Sequence, residues 1–276
     1  MNKLILENKY LNIVVLPELG GRIDSILYKP TNKNWVWKNK QLNNSYVSKY
    51  ANYDDNWQGG WEELFPNDAV EDFTWGKGLD HGELWSSKWK VEFSNVSEVL
   101  LSTDNLDSGT IFLKKISIFE KNLFVNYEAD IKFSDFFLFK LHLAIPIDKK
   151  LEVISDCQII KKVEKNFGNI INQKDESFFQ LEKDSGYYDF GYLDLKTNKV
   201  LVKDHHNNLM ELIFDDENLR YFWMFQSQGA WRKHNVLVLE PASNSRKYLD
   251  DAISKNSAIK GPLQFKCGYK VNFYNE

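Results

Sequence analysis

The segment KVEFSNVSEVLLSTDNLDSGTIFLKKISIFEKNLFVNYEADIKF, residues 90–133, decides the fold class. Apolar and polar side chains alternate along it, and the alternation is broken at DNLDSG and at EKN. Period two sends successive side chains to opposite faces of an extended chain, so each run has one face for a core and one for solvent. Asn, Asp and Gly between such runs form turns, and turns this short fold the chain back into antiparallel neighbours. The same pattern recurs in LNIVVL (11–16), PELGG and RIDSILY (22–28), while MELIFDDENLRYFWMFQ (210–226) reads as a hairpin turning at Asp215–Asn218. Helical spacing is scarce, and SRKYLDDAI (245–253), with its serine start, is the one clear short helix. The fold expected is all-β, a large antiparallel β-sandwich with one or two short helices. With only 6 prolines, no low-complexity tract and no linker, residues 1–276 are expected to form a single domain.

Composition narrows the function classes. The chain has 276 residues, 43% hydrophobic and 15% aromatic, which supplies a sizeable core without disulfide or metal staples. Lys and Arg number 35 against 39 Asp and Glu, a net charge of −4, and no basic run is interleaved with aromatics. Nucleic acid is therefore not an expected partner. The opening residues MNKLILENKYLNIVVLPELG interrupt their apolar runs with Glu, Asn and Lys, unlike a signal peptide. No apolar run approaches the ~18 residues of a membrane span. Cys157 and Cys267 stand in no metal-binding spacing. The reading is a soluble cytoplasmic protein with free thiols.

Residues 35–89 differ from the rest. Seven of the nine tryptophans lie there: Trp35, Trp37, Trp57, Trp61, Trp75, Trp85 and Trp89. Between them run GGWEELFPND and WGKGLDHGELW, whose glycines and polar residues predict long loops. Aromatic faces beside carboxylates and a histidine suit a sugar, which stacks its C–H faces and hydrogen-bonds its hydroxyls. Filling of a sandwich core is the alternative use of each ring.

Three side chains have chemical potential. In VLVLEPASN (236–244) an aliphatic strand runs into Glu240, and a buried carboxylate is either well partnered or useful as a base of raised pKa. Pro241 donates no ladder hydrogen bond, so strand pairing is expected to end there. In FFLFKLHLAIP (136–146), alternation gathers Phe137, Phe139, Leu141, Leu143 and Ile145 on one face. His142 points to the other, with Leu138, Lys140 and Ala144. His81 sits in LDHGELW, next to a glycine that permits close approach. Each residue also has a structural reading: a carboxylate tied to a lysine or a backbone amide, a structural strand histidine, a solvated loop histidine. A metal site from His81, Glu83, His205 and His206 has little support, because adjacent histidines on a strand face opposite ways.

Taken in order, LPELGGRI, DHGELW, the histidine at 142 and LEPASNSRKYLDDAI resemble the aldose 1-epimerase (galactose mutarotase) superfamily, over essentially the whole chain. The resemblance implies a mutarotase-like sandwich with a monosaccharide in an open cleft. It also implies interconversion of α and β anomers without metal or cofactor. By the same resemblance, Glu240 matches the general base at the anomeric hydroxyl, His142 the acid at the ring oxygen, and His81 a histidine that hydrogen-bonds the sugar. Trp231, in SQGAWRKHN, is a candidate stacking wall for the ring. Two departures stand out. LFPND offers Asn67 and Asp68 where many members carry an arginine; Arg22, near a hairpin turn, reads as structural, with reaching the sugar as its alternative, and neither Asp194 nor Asp204 aligns clearly with a sugar-gripping aspartate. A binding or regulatory protein on the same scaffold, without turnover, is the alternative from another class. A phosphosugar epimerase using Arg232, Lys233 and His234 is a variant of the first reading.

Overall fold

A computed structural model describes residues 2–157, 159–163, 170–173, 176–215 and 217–275. Two antiparallel sheets carry the fold among these residues, one of 11 strands and one of 9. The larger sheet runs, in spatial order, through Leu4–Glu7, Leu11–Leu16, Arg22–Tyr28, Trp61–Leu64, Lys140–Pro146, Asn235–Ala242, Tyr221–Gln228, Tyr187–Asp194, Ile159–Val163 and Ile170–Gln173, with Lys33–Asn34 paired beside Arg22–Tyr28. The smaller contains the expected meander with one strand more than the alternation predicted, because the run from 90 to 103 doubles back into Lys90–Ser94 and Glu98–Ser102 before Ile111–Phe119 and Asn122–Ile131, and it continues onto Leu263–Asn275. Among the described residues, no helix is long and apolar enough to cross a membrane.

The two sheets bury a common core, and burial explains the two kinds of strand seen in the sequence. Ile111–Phe119 and Leu263–Asn275 alternate buried and open positions, because one face packs and the other meets solvent. Lys140–Pro146 and Asn235–Ala242, at the middle of the larger sheet, are buried almost throughout. Leu141, Leu143, Ile145, Leu237 and Leu239 face the smaller sheet. Ala144, Val236 and Val238 face the opposite way, into a second apolar cluster with Trp37, Tyr53, Trp57 and Trp85. That second face carries the polar residues of interest.

Two expectations are corrected. The strands Asn208–Phe214 and Tyr221–Gln228 belong to different sheets, so the Asp215–Asn218 turn is a crossover from one layer to the other and not a hairpin (residue 216 lies outside the described residues). Pairing does not end at Pro241 either, since Ala242 pairs with both Tyr221 and Lys140. The helix near the end spans Leu249–Ser254 and follows an extended Tyr248 with no side-chain cap. Four of the seven clustered tryptophans, Trp35, Trp61, Trp75 and Trp89, belong to or pack against the inter-sheet core. Trp37, Trp57 and Trp85 lie on the other side of the sheet.

Candidate functional site

Strand register assembles the site. His142 pairs with Glu62 on one side. On the other, the pairs Lys140 with Ala242 and Leu143 with Leu239 bring His142 abreast of Glu240, which itself pairs with Trp223. Glu62, His142, Glu240 and Trp223 thus form a row across four strands on one face. Lys140 lies two residues along from His142 on the same face, as strand alternation requires.

Lys140 ties the row together. Its ammonium lies 2.6 Å from Glu240 Oε2, bonds Asp68 Oδ2, and sits 4.7 Å from the centre of the Trp223 ring. Lys247 approaches the other Asp68 oxygen at 3.4 Å. Burial alone would lower the lysine pKa, but Asp68 and Glu240 raise it, so Lys140 stays charged. Burial would likewise raise Asp68, yet Lys140, His81 and Lys247 hold it well below the ordinary carboxylate range. Glu240 is raised by burial, with Lys140 opposing. Its second oxygen, Oε1, faces His142 Nε2 at 3.9 Å. Burial, then Lys140 and His81, push the His142 pKa well down, so the imidazole is neutral near pH 7.

His81 reaches the same cluster from the loop. Its backbone is left-handed, with φ of 60°, and Gly82 follows at 73°. The Gly82 conformation is one that L side chains avoid, and a Cβ there would lie 2.1 Å from the Phe65 carbonyl oxygen. The His81 N–H donates to the Asp68 carbonyl at 2.8 Å and the Glu83 N–H to Phe65 at 2.7 Å, doubling the loop against residues 65–68. Asp80 Oδ1 lies 2.8 Å from His81 Nδ1, which leaves Nε2 directed at Asp68 Oδ1, 3.9 Å away. Asp80 in turn accepts the Tyr53 N–H at 2.8 Å. The Tyr53 ring then stacks on His81 with centroids 3.9 Å apart.

The structure therefore brings His81, His142 and Glu240 together around Lys140 and Asp68. Trp231 is one ring further out: it lies 6.2 Å from Trp57, and Trp57 presents its ring 5.1 Å from His142. Tyr53, Glu62, Lys140 and Asp68 are site residues that sequence reading did not assign. Only Lys140 had a visible signal, its shared strand face with His142. Arg22 donates to Asn44 at 2.6 Å and Gln58 at 3.1 Å and lies 3.5 Å from Asp24, so it is engaged beneath the rim. The cation at the centre is Lys140. Asp194 pairs with Lys161, and Asp204 with Lys33 in the other sheet; neither joins the site. The site is also more closed than an open cleft, since Glu62 and Glu240 are each 2% exposed and His142 7%. The described residues contain no group of three or more His, Cys, Asp or Glu arranged to hold a metal. His205 and His206 belong to a turn of the smaller sheet, between Lys199–Asp204 and Asn208–Phe214.

No protein-family model matches the sequence, and no curated protein matches it. Solved structures do match. A galactose mutarotase related enzyme from Lactobacillus acidophilus is similar at 13% identity and a TM-score of 0.73, over 99% of this chain and 98% of the other. A candidate aldose 1-epimerase from Escherichia coli K12 is similar at 11% identity and a TM-score of 0.78, over 100% and 99%. A galactose mutarotase-like protein from Clostridium acetobutylicum is similar at 12% identity and a TM-score of 0.74, over 99% and 95%. At these identities the likeness establishes the fold, a galactose mutarotase-like β-sandwich.

Proposed function

We propose that this chain interconverts the anomers of a free aldose by general acid–base ring opening. The observation that carries the reading is the facing pair: Glu240 Oε1 and His142 Nε2, 3.9 Å apart on adjacent strands and both buried. Two such groups side by side can serve the two oxygens on C1, one losing a proton and the other gaining one as the ring opens.

Glu240 accepts the proton of the anomeric hydroxyl, whose O–H electrons become the second bond of the aldehyde. The C1–O5 bond breaks, its electron pair stays on the ring oxygen, and that oxygen takes a proton from the His142 side. Rotation about C1–C2 presents the other aldehyde face, and the reverse steps close the ring. Lys140 fixes Glu240 through Oε2, leaving Oε1 for the substrate. Because two carboxylates hold it charged, Lys140 is a poor nucleophile toward the aldehyde, which separates this chemistry from Schiff-base formation. In this reading His81, whose Nδ1 lies 2.8 Å from Asp80 Oδ1, hydrogen-bonds the sugar. The aromatic wall of Trp57 and Trp231 suits the C–H face of a pyranose.

A second reading, sugar binding without turnover, is favoured by one observation: Glu240 is already in a buried ion pair. Saturation-transfer NMR across a panel of free aldoses separates the two. Protein-dependent exchange between α and β signals for at least one sugar supports the enzyme. Line broadening on binding with no added exchange supports the binding protein.

A further inference from the structure

Beneath His142 lies a second hydrogen-bonded chain. The Tyr53 hydroxyl is 2.5 Å from Glu62 Oε1 and 3.1 Å from His142 Nδ1. It is the common partner of both, which are themselves 3.9 Å apart. All three side chains are buried. One phenol carries one proton, so two arrangements are possible. With Glu62 ionised, Tyr53 donates to it, His142 donates through Nδ1–H to the phenol oxygen, and Nε2 is a bare acceptor facing Glu240. With Glu62 protonated, Glu62 donates to Tyr53, Tyr53 donates to Nδ1, and Nε2 carries the proton.

We propose that Glu62, Tyr53 and His142 form a proton relay, in which Glu62 is the ultimate acid for the sugar ring oxygen and His142 passes the proton on by exchanging tautomers. The proposal rests on the anomerase reading. In the opening step the Nε2–H bond breaks and O5–H forms; Tyr53 delivers its proton to Nδ1, and Glu62 replaces it on Tyr53. Glu240 meanwhile gains the anomeric proton. The carboxylate charge thus moves from Glu240 to Glu62, the imidazole is neutral before and after, and ring closure restores the start.

This assignment resolves a difficulty in using His142 alone. Burial disfavours a charged imidazole, Lys140 and His81 add to that, and Asp68 only partly offsets them, so a standing imidazolium is disfavoured even with Glu240 Oε1 3.9 Å from Nε2. The relay needs none. The two glutamates are also unequal in the required sense. Glu240 has an ammonium at 2.6 Å that opposes the rise caused by its burial. Glu62 is faced by Tyr53 and His142, by His81 from the loop and by Arg22 from the Arg22–Tyr28 strand, and Glu63, next in the chain on the opposite face, acts on it through the strand. Burial, helped by Glu63 and opposed by Arg22, Tyr53 and His81, raises Glu62 to about 7, so about half of it still carries its proton at neutral pH. Tyr53 stays a neutral phenol, raised by burial and by Glu62.

The test is the His142 tautomer, read from imidazole ¹⁵N shifts in the whole protein between pH 5 and 9, with the signal assigned by its loss in His142→Asn. The relay predicts Nε2–H at low pH, Nδ1–H at high pH, and no changeover in Glu62→Gln. A single tautomer across the range, or the same changeover in Glu62→Gln, overturns it. Kinetically, Tyr53→Phe keeps the ring against His81 and removes the relay proton, so kcat falls at least ~10²-fold with sugar affinity retained. The alkaline limb of kcat, set by Glu62, is absent in Glu62→Gln. Parental kcat and alkaline limb in Tyr53→Phe would overturn the relay. A tautomer changeover in a protein that accelerates no anomer exchange would instead overturn the anomerase reading and leave the hydrogen-bond wiring supported.

Discussion

Glu62 and Glu63 are adjacent in the chain and face opposite sides of the same strand, and their surroundings differ as sharply. Glu63 points into the core between the sheets, where Lys114 lies 2.6 Å away and Tyr127 donates at 2.5 Å. Lys114 also donates to the Gly21 carbonyl at 3.0 Å. This is a closed pair, with one lysine for one carboxylate and no histidine in contact. On the other face, Lys140 is shared between Asp68 and Glu240, Tyr53 between Glu62 and His142, and His81 between Asp80 and Asp68. Buried charge alone is therefore no mark of function. What distinguishes the candidate site from the Glu63 pair is that its partners are shared with histidines, which gives a proton more than one place to sit.

The largest effect should come from breaking the closed pair. Lys114→Met leaves Glu63 buried without its cation and should cost about 3–5 kcal/mol in urea unfolding. Activity per folded molecule should be unchanged, and adding Glu63→Gln should recover most of the loss.

Next in size is the pH dependence carried by Glu62. Its carboxyl is raised from 4.5 to about 7 in the folded protein. A raised carboxyl favours the folded state below the unfolded pKa, and that contribution is lost as pH rises through the folded one. Between pH 4.5 and 7 the parent should therefore lose up to about 3 kcal/mol that Glu62→Gln does not lose. Parallel stability curves for the two proteins would contradict the raised carboxyl assigned to Glu62.

Lys140→Met should leave Glu240 buried without its cation and beside an Asp68 still held by Lys247, so the Glu240 pKa should rise further. Turnover at pH 7 should drop on the order of 10²-fold, with the acid limb of the pH–rate profile displaced upward. The smallest effect is expected for Trp231→Ala, at the outer wall. Loss of one stacking face should raise the KM for sugar about tenfold, roughly the worth of one aromatic contact.

The strands were legible because solvent and core impose period two on any sheet with one wet face, as in Ile111–Phe119. His142 and Lys140 could be put on one face for the same reason. The crossover at Asp215–Asn218 was not legible, because Asp and Asn turn a chain equally well within a sheet or between sheets. Sheet membership is decided by distant partners: Asn208–Phe214 pairs with Leu263–Asn275, and Tyr221–Gln228 with Asn235–Ala242. Tyr53 and Asp68 were hidden for a related reason. Tyr53 meets His142 across 89 positions, and Asp68 meets Lys140 across 72, with no local pattern to announce either contact. The resemblance led to Glu240, His142 and His81. It did not indicate that the central cation would come from the strand carrying His142.

The measurement that tests the central claim most directly is polarimetry on freshly dissolved α-glucose and α-galactose, with parent and Glu240→Gln side by side. The account predicts faster approach to anomeric equilibrium with the parent for at least one of the sugars, and a rate at the uncatalysed level with Glu240→Gln, which still folds and binds. Equal acceleration by both proteins would contradict the assignment of Glu240 as the base. No acceleration by either, with sugar binding intact, would contradict the enzymatic reading itself.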